Sequence, residues 1–169
     1  MEYLLSTDSL TKRYGRHKAV NSVNIHIRQG DIYGLIARNG AGKTTLLRMI
    51  SGLASPMEGE FTLFGKRGKS AYRYLSRVGT LIEAPGIYPN MSAADNLRLK
   101  CLAMGVRKKG EIEELLDIVG LSETGKKKVK NFSMGMKQRL GIALALVGDP
   151  DLVILDVECS PSQTVYAGV

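Results

Sequence analysis

The stretch "GLIARNGAGKTTLL" gathers the residue types that hold a phosphate chain. From Ala37 to Thr44 it follows the spacing G-x-x-x-x-G-K-[ST], with Ala37 standing at the first glycine position. Along such a loop the backbone N–H groups of Asn39, Gly40, Ala41 and Gly42, together with the start of a following helix, offer fixed partial positive charge to an anion. Lys43 is placed to reach the outer phosphates, Thr44 to give a hydroxyl oxygen to Mg2+, and Thr45 follows in the same turn. Gly40 and Gly42 permit close backbone approach and left-handed torsions. Were Ala37 forced into the left-handed region, the cost would be roughly 1–2 kcal/mol.

A second stretch, "NFSMGMKQRLGIALALVGDPDLVILD", carries two more features. Ser133 and Gly135 open a helix with a free hydroxyl and free N–H groups, a further place for an anion, and Gln138 follows within it. The apolar run from Leu152 then ends at Asp156, as a buried parallel strand does when it delivers a carboxylate to a phosphate and magnesium site.

These groups need a frame. Val23, Ile25 and Ile27 alternate with Asn24, His26 and Arg28, the period of a half-buried strand, and Gly30-Asp31 turns the chain into "IYGLIA", expected to be the strand that feeds the loop. Thr44 to Ile50 is expected to be helical with Gly52 past its end, and "GEFTLFG" to be a short strand. Val78 to Ile82 reads as another strand, stopping at "EAPG". Ser92 and Asp95 resemble a capping box for a helix through about Met104. Ile112, Leu115, Leu116 and Val119 recur at helical spacing before Gly120. The segment Met136 to Val147 is apolar nearly all round and predicts a buried helix.

A chain of 169 residues with 44% hydrophobic content can bury a core, and one domain is expected. Its longest apolar run, Leu140 to Val147, is far shorter than the ~20 residues of a membrane span. The start, with Glu2 and Asp8 and no basic region ahead of an apolar core, does not read as a signal peptide, so a cytosolic location is expected. Cys101 and Cys159 lack metal spacing. The net charge of +8 is clustered at Lys12 to Lys18, Arg107 to Lys109 and Lys126 to Lys130, which fits a solvated face or an anionic partner.

Taken together, the motifs resemble the ATP-binding subunits of ABC transporters. In that family a Ser-x-Gly signature is followed by glutamine, a long buried helix and a strand ending in aspartate, and Ser133, Gly135, Gln138 and Asp156 stand at the matching positions. Tyr14 matches the aromatic that stacks on adenine. "TLIEAPGIYPNMSAADNL" lies where the family carries its Q-loop, with Glu83 in place of the usual glutamine, and with "FSMGMKQRL" it is similar to bacitracin-type and lantibiotic-immunity peptide exporters.

The resemblance implies an α/β fold, a P-loop core with an antiparallel β-subdomain and a helical insert. The expected division is residues 1–84 for core and β-subdomain, 85–147 for the insert and signature helix, 148–156 for the last strand and 157–169 for a tail outside the pattern. It implies ATP and Mg2+ as ligands, Mg2+ held by Thr44, Glu83 and Asp156. The nucleotide would lie on Tyr14 and the loop from Asn39 to Thr45, and against Ser133, Gly135 and Gln138 of a second nucleotide-binding domain. It implies a membrane permease as partner, met near Glu83 to Met91, and a peripheral place on the cytoplasmic face of the membrane. No nucleic-acid partner is expected; an ABC-type ATPase acting on nucleic acid is the reading that the basic clusters alone would favour.

The family's pattern continues after the aspartate with a catalytic glutamate and, later, a switch histidine. Here Val157 occupies the glutamate position, and Glu158 comes one residue late, on the opposite side of an extended chain. His17 and His26 lie far upstream and read as surface residues. The tail from Val157 to Val169 is expected to reflect either a C-terminus incomplete by truncation or a frame slip after Asp156. No catalytic residue is therefore assigned, weak hydrolysis is expected, and the alternative function is a non-hydrolysing nucleotide-binding protein that docks on the permease or on a partner subunit.

Overall fold

The computed structural model describes residues 3–38 and 40–156. An antiparallel sheet is built on β1 (Leu5–Tyr14), which pairs on one side with β2 (His17–Val23) and on the other with β4 (Glu58–Leu63); β3 (His26–Ile27) joins the start of β1, and β5 (Lys66–Arg67) closes a hairpin with β4. The β1 strand bends rather than runs straight. Ser9 is left-handed at φ 50°, and the ladders on both sides shift register around it. Two buried threonines replace the lost ladder bonds. Thr7 Oγ1 donates to the Val23 carbonyl at 2.9 Å and accepts from the Ile25 N–H at 2.8 Å, while Thr11 Oγ1 accepts from the Ser22 N–H at 2.9 Å.

The expected strand through Val23, Ile25 and Ile27 therefore divides, with β2 ending at Val23 and β3 starting at His26. The alternation still sorts the side chains: Ile25 is buried, Asn24 and His26 are exposed.

Helix α1 (Lys43–Ile50) lies on this sheet. Leu46, Met49 and Ile50 are buried with Leu5, Leu10, Val20, Phe61 and Leu63, and Ile154 of the last strand completes the cluster. A second core holds α2 (Ala93–Met104), α3 (Glu111–Ile118) and α4 (Met134–Leu146) together through Leu97, Leu115, Leu116, Phe132 and Leu140. Burial in that core pushes the Cys101 thiol up, which makes it unreactive. Ser92 caps α2 and Ser133 caps α4, each accepting an N–H three residues on. The Asp95 carboxylate also accepts the Ser92 hydroxyl, at 2.7 Å.

Between the two cores lies a parallel pair, β6 (Val78–Leu81) with β7 (Leu152–Leu155). Its start is fastened by Arg77 Nε donating to Asp151 Oδ2 at 2.7 Å, a bond that holds the Asp151 carboxyl below the usual carboxylate range and raises the Arg77 guanidinium. Helix α4 crosses β6 closely. A Cβ at Gly79 would lie 1.9 Å from the Ala145 carbonyl oxygen, so only glycine fits that crossing.

One expected strand is absent. Residues 31–38, containing "IYGLIA", belong to no ladder among the described residues. Leu35 packs toward the sheet core, but Ile32 and Ile36, on the opposite side of the extended segment, are 102% and 97% exposed. The residue types favour an extended chain; a strand also needs a neighbour to accept its hydrogen bonds, and β7 is paired with β6 alone among the described residues.

Candidate functional site

The loop from Ala37 to Gly42 opens directly into α1. Ala37 is not left-handed, so the anticipated strain at that position does not arise. Gly40 and Gly42 are, at φ 77° and 90°. At Gly42 the requirement is double: a Cβ would also sit 1.9 Å from the carbonyl oxygen of Ala19 in β2. The loop is thereby pressed against the antiparallel sheet, and the start of α1 is fixed relative to it.

The beginning of α1 is electrostatically open. It has no side-chain cap and no acidic residue in its first turn. Among the four α-helices of the described residues, α2 and α4 have serine caps and α3 has three glutamates in its first turn, so α1 alone has neither. Its first-turn N–H groups lack a side-chain cap, and its positive dipole end lies at Lys43. The Lys43 ammonium donates to the Ala37 carbonyl at 2.9 Å and so folds back over the loop.

Thr44 faces the other way. Its hydroxyl donates to Asp156 Oδ2 at 2.7 Å, joining residues 112 positions apart in sequence, and the Asp156 N–H donates to the Leu81 carbonyl at 2.7 Å. The parallel pair thus delivers Asp156 to the first turn of α1, as its sequence context predicts. Among the described residues no group of three His, Cys, Asp or Glu side chains could hold a metal by itself. A hydroxyl and a carboxylate side by side are nevertheless hard oxygen donors, and Mg2+ bound through one or two protein oxygens with the rest from phosphate and water suits them. The donor set fits.

Glu83 is held differently. Its backbone is left-handed at φ 64°, and both carboxylate oxygens lie 2.7 Å from Nη2 of Arg48, in the last turn of α1. Arg48 has no motif signal in the sequence. Downstream, buried Asn96 accepts the Tyr88 N–H at 2.7 Å and donates to the carbonyls of Tyr88 and Ser92, fixing the segment after Glu83 onto α2.

The remaining site residues lie apart from the loop. Tyr14 ends β1, 51% exposed as a residue, with the Lys12 ammonium 5.8 Å from its ring centroid. Ser133 and Gly135 are exposed at the start of α4, Gln138 is half-buried, and no hydrogen bond among the described residues links them to the phosphate loop. Asn39 and Val157 fall outside the described residues.

Comparison with known proteins settles the lineage: the sequence pattern described as "ABC transporter" matches residues 20–159. The chain belongs to the ABC transporter family. It is 48% identical over 157 residues to the bacitracin transport ATP-binding protein BcrA of Bacillus licheniformis, covering 92% of this chain and 51% of that protein. It is 42% identical over 153 residues to the lantibiotic transport ATP-binding protein SrtF of Streptococcus pyogenes, covering 90% of this chain and 66% of that one. Among solved structures, the ATP-binding subunit of an ABC transporter superposes with a TM-score of 0.75 at 30% identity, over 90% of this chain and 65% of that chain. The chain thus spans about half to two thirds of the length of these relatives, and the α/β ABC fold expected from the motifs is the one present. No helix among the described residues is long and apolar enough to cross a membrane.

Proposed function

We propose that this chain is the ATP-binding subunit of an exporter for a peptide antibiotic of bacitracin or lantibiotic kind, acting with a separate membrane permease. The observation that carries the reading is the uncapped start of α1, opening beside Lys43 on one side and the Thr44–Asp156 pair on the other. The triphosphate of ATP would replace the Ala37 carbonyl as the partner of Lys43 and take up the free N–H groups. Thr44 and Asp156 would hold Mg2+, which when bound neutralises phosphate charge. The exposed Tyr14 ring is available to stack on a base. Ser133 and Gly135 stand uncovered in this chain, as they would if they served the nucleotide of a second nucleotide-binding domain.

The permease contact is assigned to the surface from Glu83 to Met91. Tyr88 and Met91 are exposed there, beside a groove of 390 Å³ lined by Leu81, Pro85, Tyr88, Leu99 and Lys100. In this reading the chain sits on the cytoplasmic face of the membrane through the permease. Hydrolysis is expected to be slow, because Val157 offers no proton acceptor after Asp156 and a missing general base typically costs ~10²–10⁴-fold. That substitution favours one alternative, a nucleotide-binding protein that docks on the permease or a partner subunit without turnover.

The test is titration of a fluorescent ATP analogue into the full chain, with and without Mg2+. Saturable binding is expected, and Lys43→Ala should weaken it by about 10- to 100-fold, the worth of a charge-assisted hydrogen bond. Absence of binding under both conditions would overturn the reading. Co-purification with the permease without turnover would favour the docking alternative.

A further inference from the structure

We propose that the lysine loop from Lys126 to Lys130 is a contact surface for anionic lipid headgroups beside the permease; the direction in which it faces rests on the permease reading above. Lys126, Lys127, Lys128 and Lys130 are all exposed, while buried Val129 anchors the run in the helical core. Charge is one-sided here, since residues 125–148 contain no acidic residue. Elsewhere basic side chains are neutralised locally, Arg13 by Glu58 and Lys108 by Glu111 and Glu114. None of the four loop lysines forms an ion pair among the described residues.

Backbone bonds tie this loop to the proposed permease surface. The Val129 N–H donates to the Met91 carbonyl at 2.9 Å, the Lys130 N–H donates to the Pro89 carbonyl at 2.8 Å, and Lys128 pairs with Ser92 in an isolated antiparallel bridge. Residues 84–94 carry no charged side chain, and Tyr88 and Met91 are exposed among them. An uncharged strip therefore runs directly alongside four exposed ammonium groups. Where the strip meets the permease at the cytoplasmic face, the lysines beside it lie close to the inner leaflet, whose anionic lipids attract basic segments near the surface. Lysine suits that partner, because a compact charge on a flexible stem follows a diffuse and mobile field. The planar arginine fork, which recognises bases and phosphates bidentately on a nucleic acid, is missing from the loop.

The experiment sediments the full chain with permease-free vesicles of phosphatidylcholine alone or mixed with phosphatidylserine, each variant first checked for an unchanged circular dichroism spectrum. Binding to the anionic vesicles alone is expected, and it should weaken as salt is raised. Lys128→Gln combined with Lys130→Gln should weaken it by about 10- to 30-fold, roughly fivefold for each lysine near an anionic surface. Lys128→Arg combined with Lys130→Arg, which keeps the charge, should retain it. Arg107→Gln combined with Lys109→Gln removes the same charge beyond the other end of the 12-residue α2, about 18 Å along the helix, and should leave binding nearly unchanged. Equal loss from the two charge-removing pairs would mean that only net charge is read, and would overturn the proposal. So would failure of the wild-type chain to bind anionic vesicles, or tighter binding of duplex DNA through the same two lysines, which would reassign the loop to nucleic acid. None of these outcomes touches the permease reading, which falls instead if the chain binds vesicles but does not co-purify with the permease.

Discussion

At the first turn of α2, the Asp95 carboxylate accepts the Ser92 hydroxyl at 2.7 Å and an Arg98 N–H at 2.6 Å. The Ser92 hydroxyl, with Arg98 adding to it, holds the Asp95 carboxyl below the usual carboxylate range. A depressed folded value means that the stabilising contribution is complete above the unfolded value, near ~3.9, and is lost as pH falls through the folded one. Urea unfolding of wild type and Asp95→Asn across pH 7 to 3 is therefore expected to show a constant difference down to the ordinary carboxylate range and a shrinking one below it. A difference that already shrinks near neutrality would mean that some other group is responsible. The legible residues were those whose roles are fixed by short spacing: Lys43 and Thr44 follow from the loop, and Asp156 from the apolar run before it. Arg48 was not legible, because its partner lies 35 positions away and neither a helix arginine nor a loop glutamate announces such a contact.

At the scale of elements, Glu111 joins two helices. It is buried to 6% exposure at the start of α3, and its Oε1 accepts the Gly148 N–H at 3.0 Å, just past the end of α4. Glu111→Ala leaves that N–H without its partner and is expected to lower stability by about 1–3 kcal/mol, while Glu111→Gln, which keeps an acceptor oxygen, should lose less. A fall in the urea midpoint with unchanged slope would check this. The helices were readable from caps and periodicity: α2 begins one residue after Ser92 and α4 one after Ser133, two residues earlier than its apolar run begins. The pattern of "IYGLIA" predicts a strand that the described residues do not form, because period and residue type report only the preference for an extended chain. The ladder that turns such a segment into a strand depends on neighbours far along the sequence, to which its own pattern is blind.

At the scale of the whole molecule, the described residues form two apolar cores joined through a narrow parallel pair, and the phosphate loop lies against the antiparallel sheet after a segment that no ladder holds among the described residues. In hydrogen exchange, the amides of residues 32–36 are expected to exchange far faster than those of β1, and saturating Mg·ATP should slow residues 40–46 more than residues 32–36. Equal protection of 32–36 and β1 in the nucleotide-free chain would contradict the missing ladder. The Thr44–Asp156 bond has a consequence in time. It spans 112 residues, so at a synthesis rate of about 5–20 residues per second the loop leaves the ribosome on the order of 10 s before its carboxylate does. The antiparallel sheet and α1 can settle in that interval; the acidic half of the site arrives later, on a strand whose one described partner, β6, has already emerged.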